Sequence, residues 1–208
     1  MKIGIVGAGR VAFALGKKWI KGGHEVIFGV RDSKSEKVKF LTEQLGDKTS
    51  FLSTKELFAT NDIITLTVPF GAVEGILSQV GDISGKIIID CTNAIPFAKE
   101  ILKEKKFESG AEYIASLAKG AKVVKAFNSI GNNIMENTEF GEFLADAYIC
   151  GDDKEANDIV AKLAENIGFD SIIVGDLSKA RSLEHLAWLW ITLSQKEGRN
   201  IAFKLLKK

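Results

Sequence analysis

The sequence predicts an α/β fold with a doubly wound, mostly parallel sheet and a small C-terminal helical part. Three observations lead there. Short runs that are apolar nearly throughout alternate with stretches of helical periodicity, the pattern of strands covered on both faces by helices. A glycine-rich turn directly follows the first of these runs. The chain has 208 residues, 46% hydrophobic and 26% charged, which suits one packed core with an appendage and excludes a disordered chain.

The elements follow in order. Ile3-Gly4-Ile5-Val6 is a short apolar strand ended by glycine. Val11, Leu15, Trp19 and Ile20 mark a helix over 11–20, closed by Gly22-Gly23. Glu25 to Phe28 is the second strand. Val38, Leu41 and Leu45 give helical periodicity, and Thr49 to Ser53 is a weak third strand. Ile63 to Val68 is a strong fourth strand, cut by Pro69. Ala72, Ile76, Leu77 and Val80 form the next helix, and Lys86 to Asp90 the fifth strand. Ala111 to Leu117 reads as helix, Lys122 to Phe127 as strand six and Asp146 to Cys150 as strand seven. Asp153 to Ile167 carries one clean apolar stripe, with Asp152 as its expected cap and Glu155 three residues on. Ser171 to Val174 is strand eight, and from Ser178 the chain is helical to near its end.

Composition narrows the function classes. Lys and Arg number 28 against 27 Asp and Glu, so no basic excess calls for nucleic acid. Cys91 and Cys150, with His24 and His185, offer no ligand spacing for a metal. The opening run breaks at Gly7, too early for the apolar core of a signal peptide. No stretch approaches the roughly 20 apolar residues that span a bilayer. The expectation is a cytoplasmic protein with no membrane, nucleic-acid or metal partner.

Gly7-Ala8-Gly9-Arg10-Val11-Ala12 lies between the first strand and the first helix, with another strand at Glu25. That context makes it a dinucleotide-binding fingerprint of the Rossmann fold. Gly7 allows the tight turn, Gly9 leaves room for a diphosphate at the backbone, and Ala12 lets the helix pack close to the sheet. The free N–H groups and positive dipole end of the helix then face the phosphates.

The end of strand two selects the cofactor. NAD binders place a carboxylate there, about 20 residues after the glycines. Phe28-Gly29-Val30 has none, and Arg31 follows, with Ser33 and Lys34 beside it. A guanidinium pairs with a 2′-phosphate that a carboxylate would repel. The expectation is NADP(H), with Asp32 turned to solvent. The ends of strands four, five and six (Val68-Pro69-Phe70, Asp90 to Pro96, Phe127 to Gly131) supply apolar and amide groups to wall a nicotinamide ring. Cys91 reads as a small buried hydrophobe, since no base accompanies it.

Absences point to the chemistry. Neither tyrosine has a lysine four residues on: Leu117 follows Tyr113 and Asp152 follows Tyr148. No histidine–carboxylate pair is visible, and His24 belongs to the turn before strand two. Substrates that need strong acid–base help fit poorly. Hydride exchange between two organic cofactors fits better, because the protein then only aligns two rings. No residue is assigned as catalytic.

The order of motifs resembles the F420-dependent NADP oxidoreductase family, with the oxidoreductase domains of STEAP metalloreductases as relatives. The matching blocks are the glycine turn, Gly23-His24-Glu25-Val26, Gly29-Val30-Arg31, Val68-Pro69-Phe70, Val124 to Ile130, Cys150 to Asp153 and Gly175 to Glu184. The resemblance implies an NADP-binding Rossmann domain over 1–176 and a C-terminal helical segment over 177–208, packed on it and on a homodimer partner. It implies Ala8, Gly9, Arg10 and Val11 on the diphosphate and Val30 and Arg31 on the 2′-phosphate. Pro69 and Phe70 would line the cofactor, and Asn93, Asn128 and Ile130 would lie near the nicotinamide. The implied second substrate is coenzyme F420 or another flavin-like hydride acceptor. The alternative is a non-catalytic NADP-binding regulatory or sensor protein. Trp188 and Trp190 point to different faces of the last helix, one toward the sheet and the other toward a dimer contact or the second substrate.

Overall fold

The computed structural model describes residues 1–46 and 49–208. Its strands in chain order are β1 Lys2–Val6, β2 Glu25–Gly29, β3 Ser50–Leu52, β4 Ile63–Leu66, β5 Ile87–Asp90, β6 Lys122–Lys125, β7 Glu139–Phe140, β8 Phe143–Leu144, β9 Asp146–Gly151 and β10 Asp170–Gly175. Strands β1 to β6 run parallel in the order β3-β2-β1-β4-β5-β6. That is the doubly wound Rossmann order, whose reversal between β1 and β4 opens a crevice at the strand carboxyl ends. β9 adds antiparallel to β6, and β10 pairs parallel with β9. β7 and β8, which the sequence reading did not anticipate, form a separate small hairpin.

The helices are α1 Arg10–Lys21, α2 Glu36–Leu45, α3 Thr54–Thr60, α4 Val73–Leu77, α5 Lys99–Lys105, α6 Gly110–Leu117, α7 Asn132–Glu136, α8 Lys154–Glu165 and α9 Ala180–Glu197. The apolar core divides into two clusters on opposite faces of the sheet. Residues of α1, α2, α7 and α8 join one, and residues of α3, α4, α5, α6 and α9 join the other. Right-handed crossovers on either side of the β1–β4 switch produce this division. Trp19 is fully buried and its indole N–H donates to the Leu163 carbonyl at 3.1 Å, tying α1 to α8. Ala12 is buried as expected. The closest approach of α1 to the sheet comes one turn later, where a Cβ on Gly16 would stand 2.5 Å from Phe28 Cζ.

Two expectations are corrected. Helix α8 is capped by Asp153, whose carboxylate accepts from the Ala156 N–H at 2.8 Å. Asp152 instead accepts from the Leu177 N–H at 2.9 Å and so fixes the turn after β10. The C-terminal segment is helical only to Glu197, because Gly198 takes φ +81. The residues beyond run back without helix across β9: Asp146 N–H donates to the Phe203 carbonyl, and Lys204 pairs with Asp146 and Asp170. Trp190 holds this return by donating to the Ile201 carbonyl at 2.8 Å.

Candidate functional site

The first turn of α1 sits between two cavities. One, of about 680 Å³, is lined by Ala8, Gly9 and Arg10 together with residues of α2 and α7. The other, of about 510 Å³, lies at the carboxyl ends of β4 and β5 and includes Val11, Pro69, Phe70 and Asn93. The structure thus brings seven of the expected residues to two adjoining hollows at the topological switch point.

Local conformation makes the turn a cradle. Gly7 has φ +119 and its N–H donates to the Gly29 carbonyl at 3.0 Å; a Cβ there would meet Thr67 Oγ1 at 2.8 Å. Gly9 caps α1 in an extended conformation, and a Cβ there would have nothing within 4 Å. Glycine at position 9 is therefore not demanded by the protein itself. It leaves open the space that a diphosphate would fill. The cap has no side chain and the first turn no acidic residue. Helices α3, α6 and α8 are capped by Ser53, Ser109 and Asp153, whereas α2, α4, α5, α7 and α9 share with α1 the lack of a side-chain cap. Helix α1 thus presents its first N–H groups without a side-chain acceptor, where an anion would complete them.

The charge around the turn is mixed: Arg10 and Lys37 line the first cavity together with Glu36 and Glu136. Arg10, Arg31, Lys34 and Lys37 are exposed, and none pairs with an acid among the described residues. Asp32 is exposed and accepts from the Lys34 N–H at 2.8 Å, closing its own turn. Ser33 shares that exposed loop, and the Val30 N–H is used by the Leu52 carbonyl at 2.9 Å. Val30, Arg31 and Ser33 line neither cavity; they stand at the tip of β2.

Behind the second cavity lies a buried ionic cluster that the sequence reading missed. Lys125, Asp90 and Glu184 are all fully buried. The Lys125 ammonium donates to Asp90 Oδ2 and the Thr92 carbonyl, each at 2.7 Å, and lies 3.1 Å from Glu184 Oε1. Glu184 also accepts from the Gly110 N–H at the start of α6. Burial by itself lowers the Lys125 pKa, but the two carboxylates overcome it and the net displacement is upward. The cluster fastens β5, β6, α6 and α9 together and fixes the Cys91–Asn93 loop. In the sequence, Lys125 and Asp90 look like strand-end charges; only the β5–β6 pairing, with Asp90 opposite Lys125, joins them.

Asn128 is buried. Its amide donates to Asn93 Oδ1 and to the Leu183 carbonyl, each at 2.9 Å, while Asn93 donates to the Asn128 carbonyl. The pair locks the β5 and β6 loops to α9. It is helped by Phe127, which adopts φ +62 between the rings of Trp19 and Phe169 and ends β6 two residues early. Ile130 is half-buried and packs on the core. Phe70 is buried against Tyr113, with its ring at the cavity wall.

Acid–base groups are sparse here. Cys91 is the one titratable side chain of the second cavity, and burial, then the Asp90 carboxylate, pushes its thiol well up. A thiol raised in this way is a poor nucleophile. Burial likewise pushes the Cys150 thiol up to about 12. The Thr67 hydroxyl is committed to the Val6 carbonyl at 2.8 Å. His24 lies by the chain start, near Met1 and Asn166, and His185 is exposed with Nδ1 at the Arg181 carbonyl. Among the described residues no cluster of three or more His, Cys, Asp or Glu could hold a metal, and no helix is long and apolar enough to cross a membrane. Phe97 and Ile101, absent from the sequence reading, complete the outer wall.

Comparison with known proteins agrees with the motifs. Residues 2–94 match the family described as NADP oxidoreductase, coenzyme F420-dependent. The metalloreductase STEAP3 of Rattus norvegicus is 32% identical over 184 residues, covering 88% of this chain and 36% of that protein. The F420-dependent NADP reductase of Methanocaldococcus jannaschii is 28% identical over 211 residues, covering 94% of this chain and 93% of that protein. A crystal structure described as a putative F420-dependent NADP reductase from Arthrobacter sp. FB24 superposes with a TM-score of 0.86 at 24% identity, covering both chains fully. The chain is thus related to this family and to the STEAP metalloreductases, while spanning about a third of the STEAP3 chain.

Proposed function

We propose that this chain is an NADP(H)-dependent oxidoreductase that passes hydride between the nicotinamide cofactor and a flavin-like acceptor, coenzyme F420 among the candidates. The observation that carries the reading is the second cavity: it adjoins a glycine-rich helix turn without a side-chain cap, yet its one titratable group is a thiol whose pKa is pushed up. A site without an acid or base of its own suits a reaction whose chemistry is supplied by bound cofactors. NADPH, when bound, would supply the hydride.

The chain's own residues bind and orient. Gly7, Ala8, Gly9, Arg10, Val11 and Ala12 form the diphosphate turn. Val30, Arg31 and Ser33 hold the adenosine phosphate, with Lys34 and Lys37 adding charge. Val11, Pro69, Phe70 and Asn93 shape the nicotinamide side, and Asn128 and Ile130 support it from beneath. Residues 1–176 form the cofactor-binding unit and 177–208 close the acceptor side. We place the protein in the cytoplasm as a homodimer, on the strength of the family resemblance.

Loss of nicotinamide absorbance in a panel of FMN, F420 and soluble quinones tests the reading. Turnover with NADPH and weaker turnover with NADH supports it. Tight NADPH binding with no turnover on any acceptor would replace it with the sensor reading.

A further inference from the structure

The outer rim of the second cavity holds an aromatic pair with no partner in the core. Phe97, on the loop from β5 to α5, is 68% exposed, and Trp188, on α9, is 39% exposed. Their ring centroids lie 5.7 Å apart at an interplanar angle of 86°. Phe97 lines the cavity beside Asn93 and Ile101, and Ile101 is itself an exposed apolar residue. Large apolar side chains left exposed together mark a binding surface more often than a solvent face. Trp190, two residues on, is 5% exposed and faces inward. The outward aromatic of α9 is therefore the one that meets the cavity rim.

The rim also has the right chemistry for a ring. The two rings meet edge to face and Phe97 stays 68% exposed, which leaves aromatic surface on which flat conjugated systems stack. No charged side chain is among the residues lining this cavity. That lining suits the planar ring of a substrate and offers no counter-charge to a carboxylate or phosphate group, which would have to lie outside it.

We infer that Phe97, held by Trp188, is the contact for the tricyclic ring of the hydride acceptor and sets the preference for isoalloxazine-type rings. This rests on reading the second cavity as the place of hydride transfer. Both side chains are substantially exposed, so Phe97→Ala and Trp188→Phe should fold as the wild type does.

Riboflavin and FMN serve as probes, the pair separating ring from phosphate recognition. Phe97→Ala should raise KM for both by roughly tenfold, with NADPH affinity within about twofold of wild type and Phe97→Trp restoring the acceptor KM. Riboflavin should quench the fluorescence of the wild type, and it should quench Trp188→Phe at the same riboflavin concentrations by a smaller fraction, because only the buried Trp19 and Trp190 remain to report by energy transfer. Unchanged acceptor KM in Phe97→Ala overturns the inference. So does an equal loss of NADPH affinity. A shift of Phe97→Ala from dimer to monomer in sedimentation, with KM unchanged, overturns it in favour of an interface between copies. If the wild type turns over no acceptor but riboflavin still quenches Trp188, the proposed reaction falls and the ring site stands. Neither turnover nor quenching would remove both.

Discussion

Gly9→Ala separates binding from folding. The residue caps α1 at φ −87 and ψ −174, a conformation open to alanine, and its new Cβ would meet nothing within 4 Å. Alanine is a poorer cap than glycine, but it also restricts the unfolded chain, and the two effects oppose each other within about 1 kcal/mol. The melting temperature should therefore move by no more than about 4 °C in a chain of this size. A diphosphate seated on the turn would meet the methyl directly. Losing two charge-assisted hydrogen bonds at about 1.5 kcal/mol each weakens binding about a hundredfold or more. Gly16→Ala is the control. Its Cβ would stand 2.5 Å from Phe28 Cζ and 3.4 Å from Ile5 Cδ1, so it should lower stability by roughly 1–3 kcal/mol without touching the turn. Fluorescence titration with NADPH, beside thermal unfolding followed by circular dichroism, reads both quantities. Wild-type NADPH affinity in folded Gly9→Ala would refute the placement of the diphosphate over this turn.

Three further outcomes are expected. Arg31→Glu should weaken NADPH about a hundredfold and NADH less than about threefold, because only the former carries the 2′-phosphate; equal weakening in paired titrations would remove Arg31 from that role. Lys125→Met leaves Asp90 and Glu184 buried without their cation, a loss of about 3–5 kcal/mol, which lowers the melting temperature by roughly 10 °C. A fall of under about 2 °C would show that the cluster holds nothing together. Tyr148 is pushed up to about 12, first by burial and then by Asp146, to which its hydroxyl donates at 3.1 Å. Its stabilising contribution is complete below the ordinary tyrosine pKa of about 10 and is lost as pH rises toward 12. Phenolate absorbance should show a late-titrating tyrosine that Tyr148→Phe abolishes and Asp146→Asn moves earlier.

The main sheet was legible in the chain. All eight of its strands fall where strands were expected; the inner six are apolar because they are buried on both faces, whereas the edge strands β3 and β10 are only partly buried. Helices with a broad apolar stripe, α1 and α8, were equally plain. The short helices α3, α5 and α7 were not: five to seven residues hold too little periodicity to stand out. Helix α3 did carry a signal, the capping box of Ser53 and Glu56, which was absorbed into the preceding strand. The tail was read as helix because its composition permits one, whereas its path is set by Asp146 and Trp190, 58 and 14 residues before Lys204.

The residues alone determined the glycine turn, the missing carboxylate at the end of β2 and hence the phosphorylated dinucleotide expectation. These are local properties, in which a few consecutive residues fix a backbone shape or a charge. Tertiary structure decided what depends on distant segments meeting. It joined Asp90, Lys125 and Glu184 into one cluster, bonded Asn128 to Asn93 and to the Leu183 carbonyl, and set Phe97 against Trp188. No spacing rule links positions 91 and 94 residues apart. Their encounter is fixed by strand order and helix packing, which emerge only when the whole chain closes around its core.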